Sequence, residues 1–336
     1  MRNLCYLTQV ILFFRGVSDE MLEKIIKRTL MFFLVIITST ALVFFMLHSL
    51  PGESAEVMAK YIFLGNVELT PSNEAIDIIK EKYDLEKPLL SQYISWMGNA
   101  IKGDLGRSFQ TNDPVTEEIL IRLPATLLLA FSSITLSLII GIPAGILAAI
   151  KQNSFTDYFC STISVLGISI PSFWLAILLI FVFSYTFGLT PTMGYGGIEN
   201  LILPAFALGT PASAVITRLM RSSMLEVMRQ DYIRTAIGKG LSYRMVILRH
   251  ALKNTFIPVI TIIGLEFGHL LGGTVIIETI FAWPGIGRLL VTSISARDVP
   301  VIQGCIVFIT ITYLVINFLT DISYSYLDPR IGRSKN

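Results

Sequence analysis

Residues 231–258 read DYIRTAIGKGLSYRMVILRHALKNTFIP, the longest basic, non-membrane interruption between otherwise apolar stretches of this chain. From Arg218 to Phe256 there are eight Lys or Arg residues against only Glu226 and Asp231. The pattern predicts one short helix over Tyr232–Lys239 and a second over Ser242–Asn254, with Gly240 between them. A glycine there can take the left-handed conformation that ends a helix and turns the chain sharply. Asn254 and then Pro258 are expected to end the second helix, because proline cannot continue the hydrogen-bond ladder. Leu241, Met245, Leu248 and Leu252 fall on one narrow stripe of that helix, with His250 on the opposite side. Such a module suits docking into a groove on another protein. An amphipathic helix lying on anionic lipid is the competing reading.

The surrounding composition is that of a membrane protein. Hydrophobic residues make up 53% and charged residues 15%, against about 25% charged in globular domains. Cys5, Cys160 and Cys305 are scattered, without the spacing of a zinc site or a disulfide framework. Thr29–Leu50 carries no charge and is long enough to cross a bilayer core of about 30 Å. Arg15, Lys24, Lys27 and Arg28 precede it and place the N-terminus in the cytoplasm. Residues 1–28 are read as a cytoplasmic lead, with Met21 the expected natural start.

Residues 51–122 hold twelve acidic and seven basic residues and read as a small extracytoplasmic helical subdomain. Thr70-Pro71 is expected to open one helix, running to about Tyr83, and Pro88–Lys102 to form another. Leu123–Ile150 is the second span, and its Gly141 and Gly145 form a GxxxG pair that admits a close neighbour. Tyr158–Ile198 is 41 uncharged residues broken by Pro171. Counting it as two spans would put the basic loop outside, against the positive-inside rule, so it is read as one. Leu201–Thr217, Thr255–Ile277 and Val299–Thr320 complete six spans. The transmembrane core is therefore 123–325, with a loop over 222–256 and a cytoplasmic tail over 326–336. Trp283, in the turn-rich segment Phe281–Arg288, is expected at the outer interface, as is His48, while Asp321 is read as an interfacial cap or ion-pair partner.

Arg234-Thr235-Ala236, then Gly240, then His250-Ala251-Leu252-Lys253-Asn254 resemble the "EAA" loop, E-A-A-x-x-x-G-x9-I-x-L-P, of binding-protein-dependent ABC importer permeases. Arg234, Thr235, His250 and Lys253 depart from that pattern in the manner of the dipeptide, oligopeptide and nickel branch. Tyr83–Pro88, Gly103–Ser108, Phe281–Arg288 and Leu327–Arg330 resemble the same branch, and Met193–Gly197 looks closest to its nickel-type members. The resemblance covers nearly the whole chain from Met21 onward.

It implies an all-α membrane protein, a type I importer-like permease of six transmembrane helices with a cytoplasmic coupling helix, in a bacterial or archaeal inner membrane with both termini cytoplasmic. It further implies uptake of peptides, nickel or a metal chelate. The implied partners are a second homologous permease, two ATP-binding subunits and an extracytoplasmic solute-binding protein, besides membrane lipid. Nucleic acid is not among them. The ATPase-coupling residues would be Arg234, Thr235, Ala236, Gly240, Leu241, Met245, Leu248, His250 and Leu252.

No G-x-x-x-x-G-K-[ST] loop, nucleophile elbow or Cys/His dyad is present. The chain is thus expected to bind no metal or cofactor and to carry no catalytic residues, ATP and Mg residing in the partner subunits. Within the fifth span, Gly264, Gly268 and Gly272 recur at every fourth residue as a packing face. Glu266 and His269 share a roughly opposite face. Ionisable residues inside a membrane mark a substrate route by default, and a hydrogen-bonded pair inside the bundle is the alternative. A secondary transporter or a non-transporting scaffold also remains open at this point. Cysteines replacing Asn99 and Tyr195 should label from outside the cell, and one replacing Ser242 only after permeabilisation. Outside labelling at position 242 would overturn both the six-span count and the docking loop.

Overall fold

The computed structural model describes residues 26–27, 29–47, 54–60, 71–82 and 86–327. The expectations for the N-terminal lead, Thr70, Tyr83, His48, the side chain of Asp321 and the tail from residue 328 lie outside the described residues. The chain is helical throughout the large bundle: α1 (Thr29–Leu47), α2 (Ser54–Ala59), α3 (Asn73–Lys82), α4 (Leu89–Ile101), α5 (Val115–Ile150) and α6 (Phe155–Ser169). There follow α7 (Ser172–Leu179), continued by a π-helical stretch Ile180–Thr186, then α8 (Ile198–Met228) and α9 (Asp231–Gly238). The short α10 (Tyr243–Met245) leads through a π-helical stretch, Val246–Ala251, into α11 (Leu252–Ile280). Last come α12 (Ile286–Ala296) and α13 (Val299–Leu327).

Among the described residues, five helices are long and apolar enough to cross a membrane: α1, α5, α8, the Pro258–Ile280 part of α11, and the Val299–Thr320 part of α13. The pair α6 and α7, bent by 104° at Ile170-Pro171, makes a sixth crossing if it is counted as one span. Proline there lacks the N–H that would carry the helix on, and it drives the preceding residue to extended backbone, as Ile170 shows with ψ of 120°. The two ends of this pair are fastened at opposite ends of the bundle. Near its start, Asp157 grips Arg221, close to the end of α8. Beyond its end, the N–H of Gly194 donates to the carbonyl of Phe281, at the far end of α11. The broken pair joins these two ends of the bundle, as one crossing would.

The centre of the bundle is the crossing of α5 and α8. A Cβ on Gly145 would lie 2.6 Å from Met220 Cβ and 2.7 Å from the Thr217 carbonyl oxygen, so only a bare backbone fits. Gly141 meets Ile216 and the Ser213 carbonyl just as closely. Ser137 adds a polar clasp, its hydroxyl lying 2.7 Å from the carbonyl oxygens of both Gly209 and Ser133. Small residues and hydroxyls suit helices that meet in lipid, where apolar burial favours neither contact nor separation.

Three sequence expectations are corrected. Pro258 does not end a helix; it lies inside α11, as Pro124 and Pro143 lie inside α5 and Pro204 and Pro211 inside α8. Apolar surroundings offer freed backbone groups no water, so a helix keeps every remaining bond around a proline. Trp283 is not interfacial: it is 1% exposed, its indole N–H donates to the Ala125 carbonyl at 2.8 Å, and Tyr195 packs edge-on against it. The segment after it is not a loop throughout, because Ile286–Ala296 forms α12.

The subdomain helices α3 and α4 lie where the sequence places them. Helix α4 holds α1 through Tyr93, whose hydroxyl pairs with that of Thr40 at 2.8 Å and donates to the Ile37 carbonyl. The Gly145 contact carries a test. Gly145→Leu should lower the thermal stability of the purified protein by about 1–3 kcal/mol, the usual cost of overpacking. Gly98→Ala, where a Cβ meets nothing within 4 Å, should leave the melting temperature unchanged or higher. Equal melting of the wild type and Gly145→Leu would show that α5 and α8 do not meet there.

Candidate functional site

At the basic end, α9 stops at a Schellman motif built on Gly240. The Gly240 N–H donates to the Ile237 carbonyl at 2.9 Å and the Leu241 N–H to the Ala236 carbonyl at 3.4 Å, the paired bonds that close such a cap. Gly240 has φ of +79°, the left-handed conformation foreseen for it. Beyond Ser242 the chain is helical again and does not stop, so the loop and the fifth span are one rod.

The loop has two faces. Ile233, Ala236, Val246, Ile247 and Ala251 are buried together against Ala149 of α5 and Met224 of α8, and Asn254 ties the rod to α9 by donating to the Tyr232 hydroxyl at 2.8 Å. The opposite face leaves Tyr232, Ile237, Tyr243, Met245 and Leu248 exposed, amid the exposed Arg234, Thr235, Lys239, Arg244 and Arg249. The stripe expected from the sequence is therefore divided. Met245 is 45% and Leu248 68% exposed, whereas Leu241 and Leu252 pack on the internal cluster and His250 is half-buried. Leu241 precedes the helix, which starts at Tyr243 after Ser242, and the π-helical residues Val246–Ala251 shift the register before Leu252, so a regular helical wheel misplaces both ends.

In α11, Gly264 and Gly268 do form a packing face. Gly264 meets Thr320 of α13, and Gly268 meets Tyr313 and Asn317. Gly272 does not belong to it: nothing lies within 4 Å of its Cβ position, because its neighbours on that side are absent rather than close. Away from α13, Glu266 is half-buried and His269 exposed, beside the exposed Leu265. Thus the two ionisable residues share a face that this chain does not itself fill.

The sequence reading missed the most buried polar centre. Glu278, fully buried near the end of α11, accepts from the Thr126 hydroxyl at 2.7 Å and the Arg288 N–H at 3.0 Å. Its carboxylate occupies the space that Cβ atoms on Gly285 and Gly287 would need. The carboxyl there meets the N–H groups that open α12 and have no partner within that helix, the favoured place for an acceptor. Thr126 in turn accepts from the Ile286 N–H at 2.9 Å. Nearby, Asp298 receives the Ser108 hydroxyl at 2.5 Å and the Phe109 N–H at 3.1 Å, which pins the Gly103–Ser108 motif to the start of α13. Gly285 and Gly287, just after Trp283-Pro284, were the legible signal: acid plus glycine-rich turn is an anion nest.

Residues 141–333 match the binding-protein-dependent transport system inner membrane component family, and residues 21–130 match its N-terminal companion family. Two relatives are each 40% identical and aligned over 93% of this chain and 99% of their own length: the glutathione transport system permease protein GsiC of Escherichia coli K12 and the dipeptide transport system permease protein DppB of Alkalihalophilus pseudofirmus. Among solved structures, the inward-facing MetNI methionine ABC transporter matches with a TM-score of 0.55 at 18% identity, over 63% of this chain and 96% of that one. The chain belongs to the binding-protein-dependent transport permease family. It is a multi-pass inner-membrane protein and the non-catalytic permease component of an ABC importer, not a secondary transporter or a scaffold.

Glu278→Ala should be severe in this assembly, since it strands the Thr126 hydroxyl and the Arg288 N–H in the interior at about 1–3 kcal/mol per group. Glu278→Gln, which keeps an acceptor, should be milder. Hydrogen exchange at the N–H groups of residues 286–288 reads the effect directly. Unchanged protection in Glu278→Ala would remove the carboxylate from its role as the cap of α12.

Proposed function

We propose that this chain forms half of the translocation pathway of an importer for small peptides, with its 222–256 loop as the coupling element for separate ATPase subunits. The partners on this reading are a second, homologous permease, two ATP-binding subunits carrying ATP and Mg, and an extracytoplasmic solute-binding protein. The glutathione and dipeptide names of two relatives favour peptides over nickel or a metal chelate. Both termini and the basic loop are cytoplasmic here, and residues 51–122 form an extracytoplasmic subdomain, in keeping with the positive-inside rule.

The observation that carries the coupling role is the division of the loop. One face is anchored in the chain's own core, and the other offers Tyr243, Met245 and Leu248 with Arg234 and Thr235 at its edge. An ATPase groove that closes on this face would move a rod continuous with α11, and hence the face of Glu266 and His269. Binding energy that differs between the open and closed ATPase states is what shifts such an equilibrium. Gly264 and Gly268, packed on α13, would make α13 move with α11.

ATP-driven peptide uptake by the complete transporter in proteoliposomes tests this reading. At Gly240 a side chain would meet nothing within 4 Å, so Gly240→Val suffers from the left-handed backbone alone, roughly 1–2 kcal/mol. It should reach the membrane, yet lose its ATPase subunits or hydrolyse ATP without uptake, with Gly240→Ala milder. Glu266→Gln should reduce uptake while assembly stays intact. Wild-type uptake in Gly240→Val with the ATPase bound would remove the coupling role, and wild-type uptake in Glu266→Gln would return Glu266 and His269 to a structural pair.

A further inference from the structure

At the basic end, a groove of about 490 Å³ opens between α6 and α8, outside the helix crossings and the coupling loop. That volume falls within the range of roughly 300–1,000 Å³ typical of small-molecule sites. Arg218, Arg221 and Ser222 line it toward the end of α8, and Val165, Ile168 and Val215 form an apolar wall one to two turns further along the two helices. Arg221 is half committed: its Nε and one terminal nitrogen hold Asp157 at 2.6 and 2.8 Å, while its side chain remains 31% exposed. Asp157 therefore offsets Arg221, and the net positive charge comes from Arg218, which is exposed and has no ion pair among the described residues.

We propose that this groove is a binding site for one anionic phospholipid, with its phosphate on Arg218 and the free guanidinium edge of Arg221 and an acyl chain along Val165, Ile168 and Val215. The order of the lining residues supports it. Charged and hydroxyl groups stand at the end of the span, where a headgroup lies, and the apolar wall follows toward the bilayer interior. A soluble anion would need no such wall, and a purely apolar partner surface would leave Arg218 desolvated and unpaired. Basic pockets between spans on the cytoplasmic side have the chemistry for anionic headgroups.

The purified, complete transporter can be stripped of lipid, supplied with phosphatidylglycerol or phosphatidylcholine, and weighed by native mass spectrometry. Preferential retention of phosphatidylglycerol by the wild type is expected. Arg218→Ala should lower that retention about fivefold, the effect of one basic side chain at an anionic surface. Val165→Trp, which fills the wall and leaves both arginines, should lower it as well. An excess of inorganic phosphate should displace none. Equal retention of the two lipids by the wild type would overturn the proposal, as would undiminished retention in both variants. Displacement by phosphate would make this a soluble-anion site instead. Efficient cross-linking of Arg218→Cys to the neighbouring permease would make it a subunit interface. None of these readings depends on uptake, so the peptide assignment can fail without touching the lipid site.

Discussion

The close crossing of α5 and α8 is the contact on which the rest of the bundle hangs. Gly141 and Gly145 let α8 approach until the backbones nearly touch, and the Ser137 hydroxyl spans the gap to Gly209. In lipid there is no gain from hiding one apolar side chain behind another, so stability must come from close packing and from satisfied polar groups. Everything else is arranged around that pair. Helices α6 and α7 each pack on α8, α11 packs on both members, and the basic loop nests on the ends of both through Ala149 and Met224.

Two polar fasteners secure the ends of this arrangement. At the basic end, the bidentate Arg221–Asp157 pair fixes the start of the bent crossing, with the Asn153 N–H as a further donor to Asp157. At the other end, Glu278 binds α11, α12 and α5 together, and Asp298 adds the Gly103–Ser108 segment. Buried carboxylates are tolerable only when donors surround them, and here the donors come from segments far apart in sequence. The motifs with family resemblance, Gly103–Ser108 and Phe281–Arg288, thus serve as the two halves of one clamp at the end of the bundle away from the basic loop.

Much of this was legible in the residues, and the failures have physical causes. Uncharged runs marked the five long spans, and Pro171 marked the break between α6 and α7, because lipid penalises charge more strictly than water penalises apolar surface. Gly240 was readable because few residues tolerate its backbone angle. Pro258 misled because the rule that proline ends helices holds best where water can receive the freed carbonyl. Helix α12 was hidden by the glycines at its start and by a length too short to span. Glu278 passed unnoticed because one acid at the edge of an apolar run resembles a boundary residue, and its donors are visible only once α5 and α12 are brought together. No residue type announces a π-helical stretch, so the turning away of Leu252 had no sequence signal, while Leu241 left the stripe because it belongs to the Gly240 cap.

That stretch, Val246–Ala251, acts as an indexing joint. Each turn of π-helix holds one residue more than a turn of α-helix, so it sets the angle at which the loop's outer face stands relative to α11. Winding those same residues as ordinary α-helix would leave both neighbouring segments helical and every span intact. Yet the ordinary helical pitch would then turn one segment against the other by about 100°. Met245 and Leu248 would point along a new bearing while the membrane half kept its old one. A stretch that looks like an unremarkable piece of helix is, in this protein, where the winding itself carries the information.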